Sequence, residues 1–360
     1  MPRRAHGGNE RIRPFLALTI YVALAVVLTL PLAAHFTTHV TGDGIDDPSL
    51  AWNLWWVKFS LVDRHLSDIF RCRWMFYPLG INLSFYTLTP LNGLEAIPLW
   101  VSVGHIVTVN LLLWFSFVMS AFGVYLLTLE VLPRGFGVRS RETAALLGGM
   151  FYAFAAPKMF YAALGQFNIA SSLWIPFTVL YLERTRKSMR WSDLLMASTF
   201  LLFEAWSELS FASFLILWIG LWFVWELAAS VGDRARLGKL ASMGIVMGVI
   251  FLIGVSPFLA HMLPDMKAYG DFWAPGGGFA DVFSADLLGF LLPTMHNPIF
   301  GKIVGHFRFP HDKGQQLFIG YSLISLSLLG AWKGRRDSRV RFMAAAAVLF
   351  FLLTLGPEVR

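Results

Sequence analysis

Residues 14–36 read PFLALTIYVALAVVLTLPLAAHF, and Gly42-Asp43-Gly44-Ile45-Asp46-Asp47-Pro48 follows shortly after. The first stretch is apolar over a length that crosses a bilayer, which takes about 20 residues. A cleaved leader has an apolar core of only about 7–15 residues, so this run reads as a retained first helix. The second stretch sets three carboxylates among Gly and Pro at the mouth of that helix. The fold follows from the first stretch and the chemistry from the second.

The whole chain repeats the pattern of the first stretch. It is 56% hydrophobic and only 14% charged, against about 25% charged in soluble domains. The expected class is an all-α polytopic membrane protein, forming one transmembrane domain over residues 1–360. The spans fall near 14–36, 105–131, 143–161, 167–183, 192–208, 210–229, 240–261, 317–332 and 342–356, about nine in all. The net charge of +7 does not indicate nucleic acid, because the basic residues cluster in short loops between apolar runs. With a cytoplasmic N-terminus, 19 Lys and Arg fall on that side and 10 on the other. That asymmetry is the positive-inside pattern, and it predicts a multi-pass protein of the plasma (inner) membrane. The single cysteine, Cys72, leaves no disulfide or CxxC framework and reads as an inert, part-buried thiol.

Two long segments face outward, residues 37–104 and 262–316. In the first, Asp47-Pro48 ahead of Ser49–Val62 reads as an N-cap with Pro at the first helical position. Trp52, Trp55 and Trp56 suit a helix lying in the interface. Phe76-Tyr77-Pro78-Leu79-Gly80 reads as a turn. Leu88–Val101, interrupted by Pro90 and Pro98, reads as a re-entrant or surface helix. The second segment contains a hinge at Gly276–Gly278 and a short capped surface helix within Ser284–Pro293. The stop at Leu355–Arg360, directly after an apolar run, reads as the end of a fragment.

Asp43 and Asp46 are the leading catalytic candidates. A carboxylate at a shielded interface acts as a general base or holds a divalent cation, and the helix start just beyond favours anions such as phosphate. Asp47 has a local duty as the cap; Asp43, between two glycines, has none. The alternatives are an ordinary Asp/Gly turn or a calcium loop. The EF-hand form of the latter fails, because its twelfth position, which requires Glu, is Leu54. Glu204 and Glu208, where two spans meet, are a site or a solvated turn near the outer surface. Arg64 and Arg71, with Arg73, and His261, Lys267 and His296 in the second segment, are candidate partners for a donor's phosphate or sugar. None has metal-ligand or nucleotide-loop spacing.

The arrangement resembles the bacterial multi-spanning membrane proteins of the GT-C glycosyltransferase superfamily. The likeness rests on Leu28–Phe36 leading into Gly42–Pro48, on Trp52-Asn53-Leu54-Trp55-Trp56, and on Phe76–Gly80. Ala285–Pro293 with Asn297-Pro298-Ile299-Phe300-Gly301, and Phe318-Ile319-Gly320-Tyr321, belong to it as well. It implies an inverting transfer from a polyprenyl-phosphate sugar lipid on the outer face, with Asp43 or Asp46 taking the acceptor's proton. It also implies, in some branches, a divalent cation (Mg or Mn), for which Asp43, Asp46 and Asp47 are the available ligands. Relatives of this kind usually continue through further spans and often an external domain, so the resemblance implies that this sequence is part of a longer chain. A transporter or flippase of lipid-linked substrate, or a non-catalytic membrane assembly factor, are the alternative functions. Flux requires charged groups at the bilayer midplane, where the span centres here are mostly apolar.

Overall fold

The computed structural model describes residues 13–133, 135–270, 284–295, 297–306 and 317–356. It is 75% helical, and among the described residues the only strands are Arg71–Cys72 and Ile81–Asn82, paired antiparallel. The chain divides into two units. One comprises Met1–Phe154, Tyr161–Ser213 and Met247–Val255; the other comprises Ala155–Phe160, Phe214–Val246 and Ser256–Arg360.

The helices are α1 (Arg13–Leu28), α2 (Leu30–Ala34), α3 (Asp47–Lys58), α4 (Pro90–Val103), α5 (His105–Val131) and α6 (Val138–Ala153). Then come α7 (Ala156–Ala163), α8 (Phe167–Ala170), α9 (Trp174–Ser188), α10 (Trp191–Ser207), α11 (Leu209–Ala229) and α12 (Arg234–Tyr269). The short α13 (Gly301–Val304), α14 (Tyr321–Gly334) and α15 (Ser338–Thr354) complete the series. Three of them, α5, α11 and α12, are long and apolar enough to cross a membrane, and Pro14–Leu28 is a shorter apolar helix.

In the first unit α1, α5 and α6 meet through small residues. Ala17, Ala121, Ala145 and Ala153 are buried around Tyr21, whose hydroxyl donates to Leu146 O at 3.1 Å. Small side chains let helices approach where apolar solvent offers no drive for association. At Gly149 there is no room for a side chain, since a β-carbon there would lie 2.5 Å from Ala121 O. Charged pairs close one end of the bundle, with Lys187 against Glu130 at 2.6 Å and Arg186 against Glu183 at 2.9 Å. In the second unit Trp225 donates to Ser338 Oγ at 3.1 Å. Asp337 caps α15 by accepting from Arg339 N at 2.8 Å, and the Arg339 side chain holds that carboxyl below its usual range.

Several boundaries differ from expectation for identifiable reasons. Residues 143–161 do not form one rod: α6 ends at Ala153 and α7 begins at Ala156, because Pro157 has no N–H with which to continue the ladder back to Ala153 O. Residues 167–183 likewise break into α8 and α9 around Ser171–Leu173, just before Pro176, which removes a backbone donor. The region 240–261 belongs to a longer helix, α12, which runs from Arg234, capped by Asp233, to Tyr269 despite Pro257 and Pro264. In α3, Asp46 rather than Asp47 holds the N-cap position. Asp47 turns back instead to accept from Gly44 N at 2.7 Å. The surface helix expected within Ser284–Pro293 is a single 3-10 turn, Leu287–Phe290. Gly276–Gly278 lies outside the described residues.

Candidate functional site

The aspartate loop is shaped by its own carboxylates. Asp43 Oδ1 accepts from Ile45 N at 3.1 Å and Asp47 Oδ1 from Gly44 N at 2.7 Å, the local turns these residue types favour. The loop then lies against the segment between α7 and α8. Gly165 has φ +71°, and a β-carbon there would sit 2.4 Å from Thr41 O and 2.5 Å from Asp47 Cβ. Only glycine combines that backbone with that proximity. The next residue, Gln166, donates through Nε2 to Asp46 Oδ2 at 2.5 Å.

Beside Asp46 is a cavity of about 270 Å³, lined by Asp46, Ser49, Leu50, Tyr86, Thr87, Gln166, Asn168 and Ile169. Every lining residue belongs to the first unit. Three polar groups on it are held in place. Asp46 is tied to Gln166, and the Thr87 carbonyl accepts from the buried Asn53 of α3. Asn168 Nδ2 donates to Glu208 Oε2 at 2.9 Å. Glu208 interrupts the path from α10 to α11, and its other oxygen accepts from Ser210 N at 3.2 Å. With its amide nitrogen committed, buried Asn168 keeps an Oδ1 with no hydrogen-bond partner. A buried acceptor left open is costly, by about 1–3 kcal/mol. Among the described residues the lining is of acidic, hydroxyl, amide and apolar groups without Lys, Arg or His, which suits hydroxyl-bearing groups better than phosphate.

The predicted residues separate accordingly. Asp46 is on the cavity; Asp43 is exposed at the tip of its own turn and is not part of the lining. Arg64 lies over the Phe59 and Trp74 rings at 5.2 and 5.7 Å. Arg71 stands exposed on the first strand. His261 turns to Pro257 O of its own helix at 2.7 Å, and it and the exposed Lys267 belong to the second unit. His296 lies outside the described residues. Glu204, expected at a solvated turn, is fully buried instead, within electrostatic reach of Tyr152. The three loop aspartates face three different partners, and among the described residues no three His, Cys, Asp or Glu side chains gather to hold an ion. They do not fit a resident metal.

Gln166 and Asn168 were not singled out from the sequence. Their signal was the polar interruption Gly165-Gln166-Phe167-Asn168 between two apolar runs. Asn53, Asn92 and Asn110 are comparable buried amides. Asn92 donates to Ser171 Oγ at 3.0 Å, and Asn110 to the carbonyls of Phe36 and His39 at 2.8 Å each. One further carboxyl stands out in α4: burial pushes Glu95 up to about 7.

Compared with known proteins, the chain matches no family model and no curated protein.

Proposed function

We propose that the cavity beside Asp46 activates a hydroxyl group. On this reading the protein is a membrane glycosyltransferase that moves a sugar from a polyprenyl-phosphate-linked donor to an acceptor on the outer face of the plasma membrane. The observation that supports it is the placement of Asp46. One carboxylate oxygen is held by Gln166, so the carboxylate keeps one orientation at the rim of a cavity walled by Ser49, Thr87 and Asn168. A general base needs that kind of fixed geometry before it needs any particular pKa.

In the inverting step, Asp46 takes the proton of the acceptor hydroxyl. The hydroxyl oxygen forms a bond to the anomeric carbon on the face opposite the leaving group. The bond from that carbon to the phosphate oxygen breaks, and its electron pair leaves on the polyprenyl phosphate. Asn168, tied to Glu208 through its amide nitrogen, holds the wall against which the acceptor group lies. Asp43 shapes the loop that carries Asp46.

The test is transfer from a lipid-linked sugar by the full chain in nanodiscs. D46N removes the base and lowers turnover by a factor of about 10²–10⁴, the range general-base catalysis contributes. Full turnover in D46N sinks the assignment. A second reading, a transporter or flippase of lipid-linked substrate, draws on Glu204, a carboxylic group buried among helices, since intramembrane ionisable groups mark transport paths. Substrate flux in proteoliposomes that is lost in E204Q and kept in D46N selects that reading.

A further inference from the structure

The hairpin between α3 and α4 is built in an unusual way. Its base is buried: Phe70, Cys72 and Leu83 are 4%, 1% and 0% exposed. Trp56 Nε1 donates to Ile69 O at 2.9 Å, and Leu83 N to Phe70 O at 2.6 Å. Its tip is the opposite, with Trp74 60%, Phe76 69%, Tyr77 84% and Leu79 92% exposed. Four large apolar side chains are thus displayed by a well-anchored turn. Scattered single apolar residues on a surface need no explanation, but a contiguous exposed patch marks an interaction.

The position of the hairpin narrows the partner. The chain from 35 to 104 leaves the C-terminal end of α2, which follows α1, and returns directly into the N-terminus of α5 through Gly104. Asn110, in the second turn of α5, binds the carbonyls of Phe36 and His39. Everything inserted there, the hairpin included, leaves and re-enters the bundle where α5, a helix long and apolar enough to cross a membrane, begins. Trp and Tyr rings partition to the headgroup level of a bilayer. The charges fit as well. Arg64 and Arg73 flank the tip, both exposed. The nearest acids are occupied, Asp63 by Lys58 at 2.9 Å and Asp68 by the backbone of Phe70 at 2.8 Å.

We propose that the tip Trp74–Leu79 inserts among the headgroups of the leaflet on the side where α5 begins, with Arg64 and Arg73 binding anionic lipid phosphates there. The contact is independent of sugar transfer. It anchors the first segment against the membrane, and its occupant is lipid rather than a second protein chain.

L79C, labelled with an environment-sensitive fluorophore, tests this in the full chain. The position is exposed, so folding is undisturbed, and the native Cys72 is too buried to react. In nanodiscs holding one copy, the label should emit as in an apolar medium, be quenched by brominated acyl chains and resist aqueous iodide. Quenching by iodide as strong as in detergent overturns insertion, and so does an apolar emission seen only with two copies per disc. Phosphatidylglycerol should be enriched around the protein, and R73Q should lower that enrichment about fivefold, the effect of one basic residue at such a surface. Equal enrichment in R73Q overturns the role of the arginines.

Discussion

The aspartate loop and the hairpin tip both lie between α1 and α5, and they solve opposite problems. At the cavity the charged and polar groups are held by partners within the chain: Asp46 at the rim by Gln166, buried Asn168 by Glu208 and the Thr87 carbonyl by Asn53. At the hairpin the apolar groups are displayed, and among the described residues Tyr77 and Leu79 stay largely uncovered. In water the displayed tip would be costly, because exposed apolar area is unfavourable. Beside a bilayer each makes sense. The solvent covers the apolar tip, and the protein must supply an internal framework for any polar work it does.

The sharpest way to break the contrast is to compare D46N with D43N. Turnover in a lipid-linked sugar assay should fall about 10²–10⁴-fold in D46N. D43N should retain most activity, since an Asn side-chain oxygen accepts from Ile45 N as the Asp oxygen does. Loss in D43N and retention in D46N would reverse the assignment of the two aspartates. A smaller but broad effect is expected from G165A. The added β-carbon meets Thr41 O and Asp47 at a positive φ, which should destabilise the chain by about 1–3 kcal/mol. This would appear as a lower Tm in detergent together with lost transfer. An unchanged Tm would mean that the loop does not rest on Gly165.

N168A should cost about 1–3 kcal/mol by leaving Glu208 Oε2 without its donor. Its transfer defect should exceed that of a matched stability control. If both fall in parallel, Asn168 is structural only. The smallest effect concerns pH. Glu95 titrates near 7 when folded and lower when unfolded, so the folded state binds the extra proton in between. Stability is full below about pH 4.5, falls as pH rises towards 7, and is flat beyond. Tm measured from pH 5 to 8 should decline in the native chain and lose that slope in E95Q; equal slopes would place the titrating group elsewhere.

How much of this was legible differs between helices and site. Apolar runs located α5, α10 and α11 to within a residue or so, since length and hydropathy are one-dimensional properties. They missed the breaks before α7 and α9 because hydropathy sums the side chains, while Pro157 and Pro176 act on the backbone. The aspartates were visible as a cluster. Their partners were not, because Gln166 lies 120 residues from Asp46 and a lone amide in an apolar run does not say which helix it will meet. Glu204 shows the same limit. Its place along the helix suggested solvent, and the face it occupies is buried.

Asn110 carries a mechanical consequence. At 27 residues α5 exceeds the roughly 20 that a bilayer requires, and a helix with surplus length leans to match the hydrocarbon around it. Its second turn grips the chain at Phe36 and His39, a few residues before the aspartates. Any change in that lean, in a thicker or thinner lipid environment, therefore pulls on the strand leading to Asp46.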